Sequence, residues 1–584
     1  HGVARARTRV AGGGGALSRW VTVPAKTDES FFRKMSLRVL LIFLFVRCAC
    51  GPCTASESDR PTNPALESWR ADRFGLFIHW GPVSLQGTEI GWSRAGERRG
   101  FRGPGTQVPA AVYDNLYKEF NPVQFNAREW VALAQAAGMK YIVFTSRHHD
   151  GFSMFDTAAN DYKITSPLSP FRRDVVRELA DATHAAGLKF GLYYSQPNWH
   201  HPDAFTPDRH SHYLAYLKTQ VRELLTHYGR VDILWFDGLS KKAEDYGAVE
   251  LNRMARELQP QLLINNRNGL PEDFDTPEQR VGKYQDDRPW ESCITICRQW
   301  AWKPNDTMKS LEECLQTLVR CAGGDGNLLF NVGPMPDGRI EPRQVDRLRE
   351  MGAWLTQKGE SIYATRGGPW HPSRTFASTR RGNTIYLHVF RWETETLELP
   401  ALPRGIKSAT LLGGGRATLR QEGGKLSLRV DPRERDAIDT IVKIELAGSA
   451  MDIPAIAPAS QVKATASNVY HANMADHGPQ EAFDGNPSTR WATDAGTAQA
   501  WIARELEKAT SVGRVRITEA IGERVRRFEF QYRDGDRWIT IFAGEKIGRT
   551  FTKAFPPVTA REFRLNILEA HEGPTLAEIE LLEK

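Results

Sequence analysis

Cysteine is scarce in this chain: seven residues in 584, of which only Cys293, Cys297, Cys314 and Cys321 lie beyond residue 60. Those four lack the close paired spacing of a structural zinc site, so buried free thiols are expected ahead of metal ligands, with one or two disulfides left open. Long apolar runs are missing too. The longest near the start, Val39 to Val46, falls far short of the ~20 residues that a membrane span requires. Preceded by the basic RKM, it reads instead as an export signal beginning at Met35, with the Arg- and Gly-rich residues 1–34 lying upstream of the true start. A periplasmic or extracellular protein is the expectation. A lipid anchor at Cys48 or Cys50 is only weakly supported, because the residues before each fit a lipoprotein box poorly. No Lys/Arg tract follows the leader, and 77 basic against 70 acidic residues leave a net charge of +7 spread over the chain, which argues against nucleic acid as a partner. Phosphate loop, dinucleotide fingerprint, HExxH and serine nucleophile elbow are all absent, which leaves carboxylate chemistry as the leading class.

Aromatic residues, by contrast, are plentiful, with 16 Trp and 15 Tyr; they suit sugar platforms, and core packing accounts for some of them. The length predicts two to four domains. From Trp69 to about Tyr363, short apolar strands (FGLFI, YIVFTS, LKFGLYYS, VDILWFD, QLLINNR, GNLLFNV) alternate with helical patterns such as NAREWVALAQAAGMK and DVVRELADATHAAGLK. That rhythm predicts a parallel sheet covered by helices, and its span favours a closed (β/α)8-like barrel over residues 61–362. Beyond it the texture becomes short strands between Gly, Pro and charged turns. These predict a small antiparallel β-sandwich over 363–449, a Pro/Ala linker over 450–460, and a further strand-rich module over 461–584.

His79, His148, His149, Tyr194, Asp237 and Asn331 fall at the carboxyl ends of predicted strands, which in a barrel meet around one mouth. Asp237 closes an apolar strand beside Trp235 and before Gly238. A helix cap and a nucleophile or base are equally good readings of it in isolation. A glycosidase also needs a proton donor. Glu291, flanked by Trp290 and an apolar run, has the surroundings that raise a carboxyl pKa, although a plain surface glutamate fits the pattern as well; Glu89 and Asp150 compete. His148 and His149 are adjacent on a strand and point to opposite faces, which disfavours joint metal ligation.

RFGLFIHWGPVS, YIVFTSRHHDGFSMFDT, LWFDG, PWESCITI and GGDGNLLFNVGPMPDG, taken in order, resemble the retaining α-L-fucosidase family across residues 66 to about 365. The resemblance implies a (β/α)8-like barrel followed by a β-sandwich, with Asp237 as nucleophile and Glu291 as acid/base. LWFDG resembles the branch that prefers α-1,3/4-linked fucose. The implied fucose-binding set is His79, Trp80, His148, His149, Tyr194 and Trp235, with Glu89 and Trp92 in TEIGWSR to complete it. The implied reaction is double displacement on fucosylated oligosaccharides or glycoconjugates, without a cofactor for catalysis.

KATASN, EAFDGNPSTRWAT and LAEIELL resemble a discoidin (coagulation factor 5/8 type C) domain over about 461–584. The resemblance implies a jelly-roll fold and a structural calcium, for which Asp484 and Asn486 offer oxygen ligands; a tight turn at DGN is the simpler account of the same residues. Two other functions remain open at this point. One is a glycosidase on a related sugar or a sulfated fucan, and the other is a non-catalytic carbohydrate-binding protein.

Overall fold

The computed structural model describes residues 63–96, 108–239, 241–456, 463–485 and 489–583. The leader with Met35, Cys48 and Cys50, the end of the Pro/Ala linker, and Asn486 lie outside the described residues. Among the described residues no helix is long and apolar enough to cross a membrane.

Seven parallel strands open the fold: β1 (Phe74–Ile78), β2 (Tyr141–Arg147), β3 (Lys189–Ser195), β4 (Ile233–Asp237), β5 (Leu263–Ile264), β6 (Glu291–Thr295) and β7 (Asn327–Val332), in the order β5-β4-β3-β2-β1-β7-β6. The gap between β5 and β6 is filled by an irregular stave, residues 274–279. It bridges Asn265 to Phe274 on one side, and Asp275 to Trp290 and Glu278 to Cys293 on the other. Helices spanning 127–136, 175–185, 210–227, 248–258, 311–323 and 342–358 pack outside. Their starts are fixed by side chains that satisfy free N–H groups, as where Asp174 accepts from Arg177 N and Ser310 forms a capping box with Glu313.

Because side chains alternate along a strand, the barrel has two separate cores. Phe77, Tyr141, Val143, Tyr193, Trp235, Cys293 and Leu329 fill the interior. Their strand neighbours Leu76, Ile142, Phe144, Tyr194, Leu234, Phe236 and Phe330 pack outward against the helices. Gly75 explains how the lower interior is filled: a Cβ there would stand 2.2 Å from the Tyr141 ring, so glycine lets that ring lie across the barrel. At the amino end Trp290, which belongs to the outer core, sets its indole against Gly326, where a Cβ would stand 2.3 Å away, and donates to Gly324 O at 3.2 Å. Beside it the buried Asp325 receives Arg70 at 2.8 Å, Arg73 at 2.6 Å and Arg366 at 2.6 Å. The motifs PWES and GGDGN therefore lock to each other at the amino end of the barrel.

Two antiparallel sheets follow. One contains β8 (Arg366–Gly367), β9 (Phe376–Arg381), β10 (Thr384–Val389), β12 (Ile406–Leu411) and β15 (Thr440–Leu446); the other contains β11 (Thr396–Pro400), β13 (Ala417–Glu422) and β14 (Lys425–Val430). Leu387, Val389, Leu426, Leu428, Val442 and Ile444 come from both sheets into one shared core. The closing module is built on two long bulged strands, β16 (Ala500–Glu519) and β17 (Thr550–Ala570). Its separate core includes Trp491, Ile517, Phe528, Phe530 and Leu576.

Candidate active site

Strand β4 delivers Asp237 to the carboxyl end of the barrel interior, where its side chain keeps 11% of its surface. It does not cap a helix. The next long helix, 248–258, starts behind Gly247, while the Asp237 carboxylate accepts a hydrogen bond from Tyr193 Oη at 2.9 Å. Arg267 Nη1 lies 3.7 Å from its Oδ1 and His149 Nε2 lies 3.6 Å from its Oδ2. The same Arg267 Nη1 holds Glu278 Oε2 at 2.7 Å. Two carboxylate oxygens are thus gathered on one guanidinium nitrogen and lie apart by at most the sum of those distances, about 6.4 Å. Arg267 is itself aimed by Thr276, which receives its Nε at 2.8 Å, and by the Trp235 face 4.8 Å below.

The histidines around this pair are neutral acceptors. His149 Nδ1 is 2.6 Å from Ser195 Oγ, and that hydroxyl donates its own proton to Pro197 O at 2.7 Å. Nδ1 must therefore be the donor, and Nε2 presents a lone pair toward the mouth. His79 Nδ1 likewise faces Asn331 Oδ1 at 2.7 Å, in an amide whose orientation is set by its donation to Trp300 O at 2.8 Å. Burial pushes both imidazoles down to about 3, and His148 also well below its ordinary value. His148 stacks on Tyr193, with centroids 5.4 Å apart and planes 8° apart.

Of the remaining residues singled out in the sequence, Glu89 and Trp92 reach the rim. Glu89 accepts backbone N–H groups of Ile90, Trp300 and Ala301 at 3.0–3.1 Å, and burial pushes it up to about 7. Trp92 stands edge-on to His149 at 5.5 Å and to Trp199 at 4.9 Å. Trp235 forms the floor of the site, stacked under Tyr193 at 5.6 Å.

Three assignments are corrected by the geometry. Trp80 follows the inward His79 and points outward; its ring packs on Phe120, Phe125 and Trp130, and its Nε1 donates to Met335 O at 3.1 Å. Tyr194 also faces outward, bonded to Gln220 at 2.9 Å beneath the Arg147 guanidinium; the inward tyrosine of the LYYS motif is Tyr193. Glu291 is the first residue of β6, at the amino end of the barrel, and is 0% exposed. Its carboxyl is held by Tyr141 Oη and, at 3.2 Å, by Trp235 Nε1. Burial pushes it up to about 7, as its apolar flanks suggest, but it lies beneath Trp235 and cannot reach a sugar at the mouth. Asp150 is occupied too, accepting from Tyr113 Oη at 2.7 Å.

Sequence reasoning missed Tyr193, Arg267, Glu278 and Trp300, whose ring lies 4.7 Å from that of His79. Arg267 closes the predicted strand QLLINNR, so its position was available; Glu278, on the irregular stave, had no periodic pattern to announce it.

In the closing module, Thr489 Oγ1 donates to Asp484 Oδ2 at 2.8 Å and approaches Glu481 O at 3.2 Å. Glu578, nearby and buried, has one carboxylate oxygen without a hydrogen-bond partner among the described residues. Burial, then the Asp484 and Glu580 charges, pushes it up to about 9. The described residues contain no group of three or more His, Cys, Asp or Glu side chains that could hold a metal. Any cation here would need mixed oxygen donors, hydroxyl and carbonyl included. The four cysteines are buried free thiols.

A parallel barrel that gathers paired carboxylates, neutral imidazoles and indole rings at its carboxyl end defines a glycoside hydrolase. The alpha-L-fucosidase family model matches residues 51–360, and the F5/8 type C domain model matches 463–581. Human plasma alpha-L-fucosidase is 30% identical over 388 residues, covering 59% of this chain and 80% of the relative. The structure resembles alpha-L-fucosidase isoenzyme 1 from Paenibacillus thiaminolyticus (TM-score 0.59, 34% identity, 66% of this chain and 99% of that one). It also resembles the Thermotoga maritima alpha-fucosidase (TM-score 0.54, 27% identity, 65% and 96%). The chain belongs to the alpha-L-fucosidase family and carries an F5/8 type C domain after its catalytic barrel.

Proposed function

We propose that this enzyme removes terminal α-1,3/4-linked L-fucose from glycans by double displacement, with Asp237 as nucleophile and Glu278, in place of Glu291, as acid/base. The observation that carries the reading is the pair of carboxylates held on one nitrogen of Arg267. Those two oxygens lie no more than about 6.4 Å apart, which is compatible with the ~5–5.5 Å that retaining enzymes keep between their carboxyl groups.

In the first step Asp237 attacks the anomeric carbon as Glu278 protonates the departing glycosidic oxygen. In the second, Glu278 takes a proton from water, and that water releases fucose from the Asp237 ester. Tyr193 aligns the nucleophile in both. The bare Nε2 atoms of His79 and His149 accept sugar hydroxyls, and Trp300 and Trp92 supply apolar walls, one of which meets the 6-methyl group.

A calcium ion in the closing module would be held by Asp484, Thr489, Glu578 and the Glu481 carbonyl, with Asn486 as a further ligand. It would neutralise carboxylates that burial otherwise strains, and it takes no part in the chemistry. Export to the periplasm or the exterior remains part of the proposal, on the strength of the segment after Met35.

The test is fucose release from a Lewis-type branched trisaccharide, 2'-fucosyllactose and an aryl α-L-fucoside, with the anomer formed first identified by NMR. Rapid release of the α-anomer from the branched sugar is expected. Activity confined to the other two would overturn the linkage preference, and a β-anomer would overturn double displacement.

A further inference from the structure

We infer that the F5/8 type C domain is a positioning element of the catalytic site, acting through the salt bridge from its Glu481 to Lys283. The inference rests on the reading of Glu278 as the acid/base. Immediately after Glu278 the chain turns at Gln279, which has a φ of +53°, a backbone state that a residue other than glycine or asparagine holds only when its surroundings impose it. The turn is pinned to β6, since Gln279 N donates to Cys293 O at 2.9 Å and its side-chain oxygen receives Thr295. The return strip that follows is gripped from three sides. Gly282 N donates to Ser292 Oγ of the barrel at 3.1 Å. Tyr284 stacks on His371, ahead of β9, with centroids 4.3 Å apart and planes 11° apart. Lys283 Nζ meets Glu481 Oε2 of the closing module at 3.1 Å, with the glutamate side chain 11% exposed.

The Glu481 side chain is largely buried where it meets Lys283, which makes it more than a surface partner. Removing the Glu481 charge takes away this ion pair and loosens one of the three grips on a strip that begins two residues from Glu278. A proton donor must sit within hydrogen-bond reach of the leaving oxygen, so a small displacement of Glu278 is felt in proton donation and spares the nucleophile.

The test uses the full chain with Glu481→Gln, Lys283→Glu and the charge exchange Lys283→Glu/Glu481→Lys. Amide hydrogen exchange over residues 278–285 should rise in both single variants and return toward wild type in the exchange, and this readout does not depend on the reaction. For kcat/KM, a fucosylated oligosaccharide with a sugar leaving group should lose about tenfold, whereas an aryl fucoside that departs without protonation should change less than twofold. Unchanged exchange over 278–285 in Glu481→Gln would overturn the inference. Equal losses on both substrates would also overturn it, since they would mark a general disturbance of the barrel. A wild-type enzyme whose Glu278→Gln variant shows no such leaving-group dependence would instead strike the assignment of Glu278, a failure separable from the first.

Discussion

Two glutamates of this barrel invite comparison. Glu291 stands on a regular strand between Trp290 and an apolar run, and its carboxyl is buried, raised and hydrogen-bonded to Tyr141 and Trp235. Glu278 stands on an irregular stave with 42% of its side chain exposed, paired to Arg267. By local environment the first looks like the proton donor. By position only the second shares the mouth with Asp237, because a parallel barrel offers a substrate its carboxyl end and closes its amino end with packing. A raised pKa at the floor of the barrel is a by-product of burial, and the end of the strand decides whether it can act.

The largest expected effect would break the comparison altogether. Asp237→Ala should lower kcat/KM on every fucoside by about 10⁴-fold or more, the scale seen when a nucleophile is removed, and azide added to the assay should restore turnover with formation of a β-fucosyl azide. Next, Glu278→Gln should lower kcat/KM on a glycan by about 10²–10⁴-fold and far less on an activated aryl fucoside, the signature of lost general-acid catalysis. Glu291→Gln should leave both substrates within a few-fold of wild type. Were Glu291→Gln the more damaging of the two on glycans, the assignment of roles to the two ends of the barrel would be reversed.

The same contrast explains what could be read beforehand. The strand and helix rhythm, the two β modules and the placing of Asp237, His79, His148 and His149 at strand ends were all legible, because each follows from hydrophobic periodicity or from where a strand stops. Which of two adjacent residues faces inward was not, since it depends on register: Ser195 pairs with Asp237 and Tyr193 with Trp235, and only that pairing sends Tyr193 inward and Tyr194 out. Trp80 fails for the same reason, lying one residue past His79. Glu278 was hidden differently. Its stave is held by scattered bridges to Asn265, Trp290 and Cys293, and TPEQR carries no alternation to betray a strand. PWES and GGDGN misled because they are specific motifs whose residues lock the barrel floor.

A smaller effect sharpens the inward and outward pair. Tyr193→Phe removes a hydrogen bond to a carboxylate, worth roughly 1.5–3 kcal/mol, and should lower kcat by about ten- to a hundredfold. Tyr194→Phe, whose hydroxyl bonds Gln220 behind the sheet, should leave kcat unchanged and lower stability by about 1 kcal/mol. Stopped-flow kinetics and denaturant melts of the two variants separate these outcomes.

The smallest effect concerns stability and isolates the floor. Glu291 has an ordinary value of 4.5 and is raised to about 7 in the fold. Its contribution is therefore fully present below pH 4.5, falls as the unfolded chain alone releases the proton, and is lost once the pH passes about 7. The histidines His79 and His149, ordinarily at 6.5 and lowered to about 3, slope the other way: between those limits the unfolded state binds more protons, so stability rises with pH. The two trends oppose each other in the wild-type melt, but Glu291→Gln removes only the first. The stability difference between variant and wild type should shift in the variant's favour from pH 4.5 to pH 8, by up to about 3 kcal/mol, because glutamine imitates the protonated acid at every pH. A pH-independent difference would mean that the Glu291 carboxyl ionises in the fold as readily as in the unfolded chain, and burial at the floor would then no longer explain why it differs from Glu278.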